Sequence, residues 1–455
     1  PPSGGGGFSL FGRIAAGYWP NGDNSYNNTP WSSKYYGTKS VPTTMVCGST
    51  AYAWFEFENS GTSSWDTTNT SLGCSNPQDR SSPFFNSGDW IGPNRPTRAD
   101  APAAPGAGAR FTFILKAPNI PGTYTEYYKV LQEGTAWFGD EASSTISVYA
   151  PGIVKWAYIG HYGGGGSATH QTRINTDWVS GTYNGVTVSE ATIAPGIADG
   201  SSGINYKGAY WHNGTSTTDI VNLEGSNFWN QQLDNGTTYC AAYFKWTGAT
   251  RTNVYMCTGS DDCSKVWLNG TAIGSFVNDG GRGCTMDSDF YGPFTLTQNA
   301  WYRLVMKVEN GIDDYQIYAR FCNSDKSVLD VGTIYVKDAT APTNPTSCTE
   351  SHGVTSGVAQ SSVSSPSFTW SGASDSQGSG EGVSGVRGYK VYFGTSSSGT
   401  PSTFQTGATY SPGAQSIGTY YLRVSTVDYA LNESAATTVF TFKYASTYSC
   451  AVYSD

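Results

Sequence analysis

The chain has 455 residues, enough for about three domains of ordinary size, with 25 Lys and Arg against 34 Asp and Glu and a formal net charge of −9. Only 13% of residues are charged while Gly (56) and Tyr (31) are abundant, so hydroxyls, amides and turn-forming residues dominate the surface and loops. The acidic balance excludes the basic footprint of a nucleic-acid binder, and no apolar run approaches the ~20 residues of a membrane-spanning helix.

Residues 1–37 begin Pro-Pro-Ser followed by four glycines, a flexible leash. An alternating apolar stretch follows, carried by Phe8, Leu10, Phe11 and Ile14. No charged-then-apolar leader opens the chain, which therefore reads as a mature or partial polypeptide. Two placements fit the stretch: a strand added to the sheet of another copy, or a strand folded back on its own domain.

Beyond it, apolar residues alternate with period two, as in 110–115, 389–393 and 420–424, which predicts strands and no amphipathic helix. Between about 38 and 149, Trp54, Trp65, Trp90 and Trp137 are spaced by Gly- and Pro-containing turns such as Gly92-Pro93-Asn94-Arg95-Pro96 and Pro121-Gly122. This region resembles the four-tryptophan, NBR1-type immunoglobulin-like family. The resemblance implies a non-catalytic β-sandwich with the tryptophans in its core or corners.

A break at Ala150-Pro151-Gly152 leads to a middle region ending near 340, and a second break falls at Ala341-Pro342-Thr343-Asn344-Pro345, where Pro denies a ladder its donor. In the middle region, Asp261-Asp262-Cys263-Ser264-Lys265-Val266-Trp267-Leu268-Asn269-Gly270 places an Asn-Gly hairpin turn after a strand. With the strand Trp301–Asn310 it resembles galactose-binding-like jelly rolls over residues 205–336. The last region, with Trp370 and the stretch Tyr420–Ser434, resembles fibronectin type III or related immunoglobulin-like domains. Leu431 stands there in place of that family's usual Gly. The expected fold is all-β: an N-terminal segment (1–37), an immunoglobulin-like sandwich (38–150), a jelly roll (151–340) and a fibronectin III-like sandwich (341–455).

Nine cysteines without a Cys-x-x-Cys pair point to disulfides and an oxidising compartment rather than to zinc. The expected bridges are Cys47–Cys74 in the first domain, Cys263–Cys284 closing a loop, and Cys348–Cys450 tying the ends of the last domain. Cys240, Cys257 and Cys322 form an odd remainder, in which one thiol is buried, unmodified or bonded to another chain. Sequons at Asn27, Asn69, Asn213, Asn235, Asn269 and Asn432 mark candidate glycan sites.

A search for catalytic machinery returns no His-Glu-x-x-His, no Gly-x-Ser-x-Gly elbow and no phosphate loop. Gly380-Glu381-Gly382-Val383-Ser384-Gly385 spells a dinucleotide fingerprint, but it lies in a polar β-region loop with no helix to follow. His161 and His170 bracket a Gly-rich loop. Asp261, Asp262, Asp287 and Asp289 are hard oxygen donors for a structural Ca²⁺, against solvated turn carboxylates as the plain alternative. Tyr206, Tyr210, Trp211, Phe228 and Trp229 offer flat faces for a sugar, against the plain alternative of core packing.

No cofactor is required. The absence of catalytic signatures, the disulfide-compatible cysteines and the apolar N-terminal segment lead to the expectation of a non-catalytic extracellular, cell-surface structural or adhesive protein, a filament or surface-layer subunit with other copies of itself as partners. The rival expectation is a carbohydrate-binding accessory region of a secreted glycoside hydrolase, with extracellular glycans as partners.

Overall fold

A computed structural model describes residues 29–164, 168–197 and 200–446. The proposed assembly strand, Asn27 and Cys450 lie outside them. Among the described residues the regular structure is strand apart from one six-residue helix, His170–Asn175, so the all-β expectation holds. By contacts the described residues divide into a unit holding those up to 151 with 325–328, and a second unit holding the others.

The first unit is a sandwich. Thr50–Asn59 pairs antiparallel with Gly108–Lys116 along its length, from Thr50 opposite Lys116 to Glu58 opposite Gly108. The facing sheet runs in the order Thr44–Val46, Ala136–Tyr149, Gly122–Gln132, Thr70–Cys74, Thr97–Arg98. In Gly108–Lys116 every second residue is buried, and Ala109, Phe111, Phe113 and Leu115 meet Phe55, Phe57, Tyr128 and Val130 between the sheets. Burying each such large side chain contributes about 1.5–3 kcal/mol.

The four tryptophans divide into two kinds. Trp65 and Trp90 are core residues, and the Trp90 indole N–H donates to the Ile114 carbonyl at 2.8 Å. Trp54 and Trp137 are half-buried, each beneath a guanidinium: Arg110 at 4.1 Å and Arg95 at 4.8 Å. Arg110 also binds the buried Glu56 carboxylate through two N–H groups at 2.9 and 2.6 Å. The core expectation therefore holds for two tryptophans, while the other two stack with arginines.

The second unit contains two sandwiches. In the middle one, a six-stranded sheet has the order His212–Thr215, Lys155–Tyr162, Gly236–Lys245, Trp301–Asn310, Cys263–Leu268, Thr271–Phe276. It faces a four-stranded sheet of Val221–Asn222, Gln316–Cys322, Arg251–Ser260 and Asp289–Leu296. Asn269 and Gly270, with φ of +48° and +82°, close the hairpin between paired Leu268 and Thr271, the backbone a two-residue type I′ turn demands. Phe244, Met256, Val266, Met306 and Phe321 fill the space between the sheets.

The central strands Gly236–Lys245 and Trp301–Asn310 are buried on both faces. Their outer face, with Tyr239, Ala241 and Val305, is covered by Val179, Val186, Ile193 and Trp211, together with Val427 and Leu431 of the C-terminal sandwich. The C-terminal sandwich packs a five-stranded sheet centred on Gly418–Asp428 against a three-stranded one. Phe368, Trp370, Leu422, Val424, Phe440 and Phe442 make its core, as expected for Trp370. Leu431 adopts φ +66°, the left-handed conformation that the usual Gly would take without strain. Its side chain explains the exception, because it is buried against the middle sandwich.

Candidate functional site

The aromatic side chains expected to form a sugar platform are packed instead. Tyr206 and Trp211 are 1% and 2% exposed and Phe228 is 8% exposed, while Tyr210 and Trp229 are half-buried. The Tyr206 ring lies 4.7 Å from that of Tyr183, and its carbonyl accepts from the Tyr162 hydroxyl at 2.9 Å. Phe228 and Trp229 close on Tyr158 at 5.2 and 4.7 Å. The platform expectation fails for Tyr206 and Trp211 because the outer face of the sheet is itself covered, so their rings fill a second core, and for Phe228 because its ring packs into the core between the two sheets. A cavity of about 140 Å³ borders Tyr206, Trp211, Ile197, Leu431 and Asn432, below the roughly 300 Å³ lower end of ordinary ligand pockets.

The acidic residues of the middle sandwich are brought into a polar cluster. Thr169 caps the short helix through its hydroxyl, and the helix presents His170 and Arg173 on one face. Arg173 Nε donates to Glu309 Oε1 at 2.6 Å, and His170 Nδ1 lies 2.9 Å from Glu309 Oε2 and 3.3 Å from Asp262 Oδ2. Asp262 accepts from the Arg282 backbone N–H at 2.7 Å and from that of Gly311 at 2.8 Å. The Asp261–Asp262 peptide is cis, and burial, followed by repulsion from Asp262, pushes the Asp261 carboxyl up to about 7.

Asp287 and Asp289 belong elsewhere. Asp287 is held by Arg320 through two bonds at 2.8 and 2.6 Å, and Asp289 pairs with Arg282, whose Nη1 donates at 2.9 Å. The expected four-carboxylate calcium set is therefore corrected: Asp287 and Asp289 are neutralised by separate arginines, and Asp262 is occupied by backbone N–H groups. His170, Asp262 and Glu309 do converge, offering one donor atom each within 4.8 Å, but Arg173 already supplies the countercharge. Sequence reasoning missed Arg173 and Glu309, which stand 136 positions apart. His161 serves a different partner, with Nε2 3.1 Å from the Asp234 carbonyl, and burial lowers its pKa.

The cysteine pairing also differs. Cys47 follows the edge strand Thr44–Val46, which lies three strands from Thr70–Cys74, a separation of about 14 Å. A disulfide needs Cα atoms within about 7 Å, so a Cys47–Cys74 bridge is excluded by the register. Cys263 Sγ is engaged by Asn278 N–H and C=O at 3.3 Å, while Cys284 lies against Gly259, and the two are not bonded. The pair that the fold does bring together is Cys257 and Cys322, both buried, with sulfurs 3.0 Å apart. They are diagonal neighbours because Tyr255 opposes Cys322 and Cys257 opposes Arg320.

Of the described sequon residues, Asn69, Asn213 and Asn269 are exposed and Asn235 is half-buried. Asn432 is a correction: its Nδ2, the atom a glycan would occupy, donates at 2.8 Å to both the Asp338 carbonyl and Asp428 Oδ2.

Residues 40–148 match the family described as the Ig-like domain from next to BRCA1 gene, which supports an immunoglobulin-like sandwich in the region carrying the four tryptophans. No curated protein matches the chain. Among solved structures the chain is similar to the PA14 domain of the antifreeze protein MpAFP, at 16% identity and TM-score 0.17 over 23% of this chain and 50% of that one. It is similar to the secreted serine protease VesC from Vibrio cholerae, at 10% identity and TM-score 0.16 over 66% and 52% of the two chains. A third is an anti-sigma factor domain-containing protein from Clostridium clariflavum, at 8% identity and TM-score 0.24 over 66% and 83%. The chain thus spans about half the length of the first two, and at these scores the likenesses say nothing about activity.

Proposed function

We propose that the chain is a non-catalytic, extracellular structural or adhesive protein, built to carry load at a cell surface and to associate with other copies of itself. One observation carries the reading: the middle and C-terminal sandwiches are joined by shared packing rather than by a free linker. Val427 and Leu431 enter the same core as Trp211, Tyr239 and Val305, and Ala430 packs with Tyr243. The Arg387 guanidinium reaches the Thr187 carbonyl and the Thr192 hydroxyl. Relative motion is the default between tandem domains unless the interface is large and apolar, and a stiff pair suits a load-bearing role better than a ligand-seeking one. The packed state of Tyr206, Trp211 and Phe228 weighs against the carbohydrate-binding alternative.

The test is electron microscopy of the purified chain beside a version lacking residues 1–28, which leaves Trp31 and Ser33 in the first sandwich. Filaments or sheets from the full chain, with monomers from the truncation, are expected. Monomers from both would overturn self-assembly and direct the search to glycan arrays.

A further inference from the structure

A second group of carboxylates lies in the same unit, away from the cluster around Glu309, and two of its oxygens have no hydrogen-bond partner. Asp338 is on the segment leaving the middle sandwich, Asp375 follows the strand Phe368–Ser371, and Asp428 ends the strand Gly418–Asp428. Asp338 and Asp428 are both 0% exposed. One carboxylate oxygen from each of the three lies within 4.8 Å of the others.

Four of the six carboxylate oxygens are satisfied by backbone and amide groups. Asp338 Oδ2 accepts from Ser384 N–H at 2.6 Å, and Asp375 Oδ2 from Gly385 N–H at 2.7 Å. Asp428 accepts from the backbone N–H and the side-chain amide of Asn432, both at 2.8 Å. The other oxygens of Asp338 and Asp375 are buried with no hydrogen-bond partner. None of the ion pairs among the described residues includes any of the three carboxylates. The neighbouring cations are engaged elsewhere: Lys337 pairs with Glu381, Arg303 donates to the Ala191 carbonyl, and Arg387 to the Thr187 carbonyl and the Thr192 hydroxyl.

Buried carboxylates without a countercharge are costly, and the fold responds accordingly. Burial pushes Asp338 up to about 6 and Asp428 up to about 8, with repulsion inside the group adding to both. An oxygen-only donor set suits a hard cation and not a soft one. Two oxygens on opposite sides of a calcium ion, each at about 2.4 Å, stand about 4.8 Å apart, so three oxygens that all lie within 4.8 Å of one another can share one such ion.

We propose that Asp338, Asp375 and Asp428 form a binding site for a divalent cation, calcium, that ties the inter-sandwich segment to the turn at Asp428–Asn432. That turn carries Ala430 and Leu431 into the joint, so an ion there stiffens the connection between the two sandwiches. The inference is independent of whether the chain assembles at a surface.

The experiment is calcium titration of the EGTA-stripped full chain by calorimetry, with thermal unfolding read in parallel. The unsubstituted chain should take up calcium and unfold several degrees higher with the ion present. Asp375→Asn and Asp338→Asn should each remove one bound equivalent and most of the thermal shift, while Asp262→Asn retains both. Circular dichroism confirms that the variants fold. Should one fail to fold, the other and the unsubstituted chain decide. No calcium uptake by the unsubstituted chain, or undiminished uptake and shift in Asp375→Asn or Asp338→Asn, would overturn the proposal.

Discussion

The second unit holds two buried carboxylate clusters that its fold treats in opposite ways. Around Glu309 and Asp262, the protein supplies donors: Arg173 and His170 from the helix, and backbone N–H groups of Arg282 and Gly311. Around Asp338, Asp375 and Asp428 it supplies two backbone N–H groups and Asn432 but no cation in ion-pair range. Composition does not distinguish the two, since both are acidic residues in a chain of net charge −9. Whether such a cluster is a finished structural element or an open site depends on which partners the topology delivers.

The sharpest way to break the contrast is to remove the countercharge from the finished cluster. Arg173 and Glu309 are 3% and 0% exposed at the side chain, so Arg173→Met leaves a buried charge unpaired and should cost about 3–5 kcal/mol, read by urea unfolding. The double substitution Arg173→Met with Glu309→Leu should recover much of that loss. A single substitution costing nothing would show that Glu309 is neutralised by something other than Arg173.

Next in size is the apolar wedge beside the open cluster. Leu431 is buried although its backbone is left-handed, so packing offsets the strain. Leu431→Ala keeps the strain and loses the contact, and should cost about 2–4 kcal/mol in the same assay. Leu431→Gly should cost less than the alanine, because glycine relieves the backbone. An alanine variant as stable as the unsubstituted chain would mean that the joint is held by its polar contacts.

Much of the fold was legible, for physical reasons. Period-two runs such as Arg110–Leu115 are half-buried strands whose faces sort by themselves, the Asn269–Gly270 pair dictates its own turn, and Trp370 is core in its own small sandwich. The site was far less legible. Tyr206 and Trp211 look like ligand aromatics in a loop-rich stretch, yet they are covered by residues more than two hundred positions later, Val427 and Leu431. Cys47 and Cys74 are close in sequence but three strands apart in the sheet, whereas Cys257 and Cys322, 65 positions apart, are neighbours. Asp338, Asp375 and Asp428 each have an ordinary local setting, and only the approach of three separate segments makes them a group.

Asp262→Asn sharpens the comparison from the side of the finished cluster. Asp262 accepts two backbone hydrogen bonds and faces His170, so an amide placed there keeps one acceptor oxygen and turns a donor toward groups that already donate. Losing a charge-assisted acceptor among donors should cost about 1–3 kcal/mol. Unchanged urea unfolding would show that the Arg282 and Gly311 loops hold without the carboxylate.

The smallest effect, and the one of opposite sign, belongs to Asp338→Asn in calcium-free buffer. An ionised carboxylate holds acceptors only, and the fold brings no donor to the unpaired oxygens of Asp338 and Asp375. An asparagine keeps the oxygen that accepts from Ser384 and puts an amide N–H where Asp338 has a buried, unpaired oxygen. It also removes a fully buried carboxyl whose ionisation is opposed by burial and by Asp375. Stability without calcium should therefore stay within about 1 kcal/mol of the parent or rise, while the same change at Asp262 lowers it. A clear loss at Asp338 in calcium-free buffer would mean that its carboxylate is already satisfied by the fold, and the two clusters would then be of one kind.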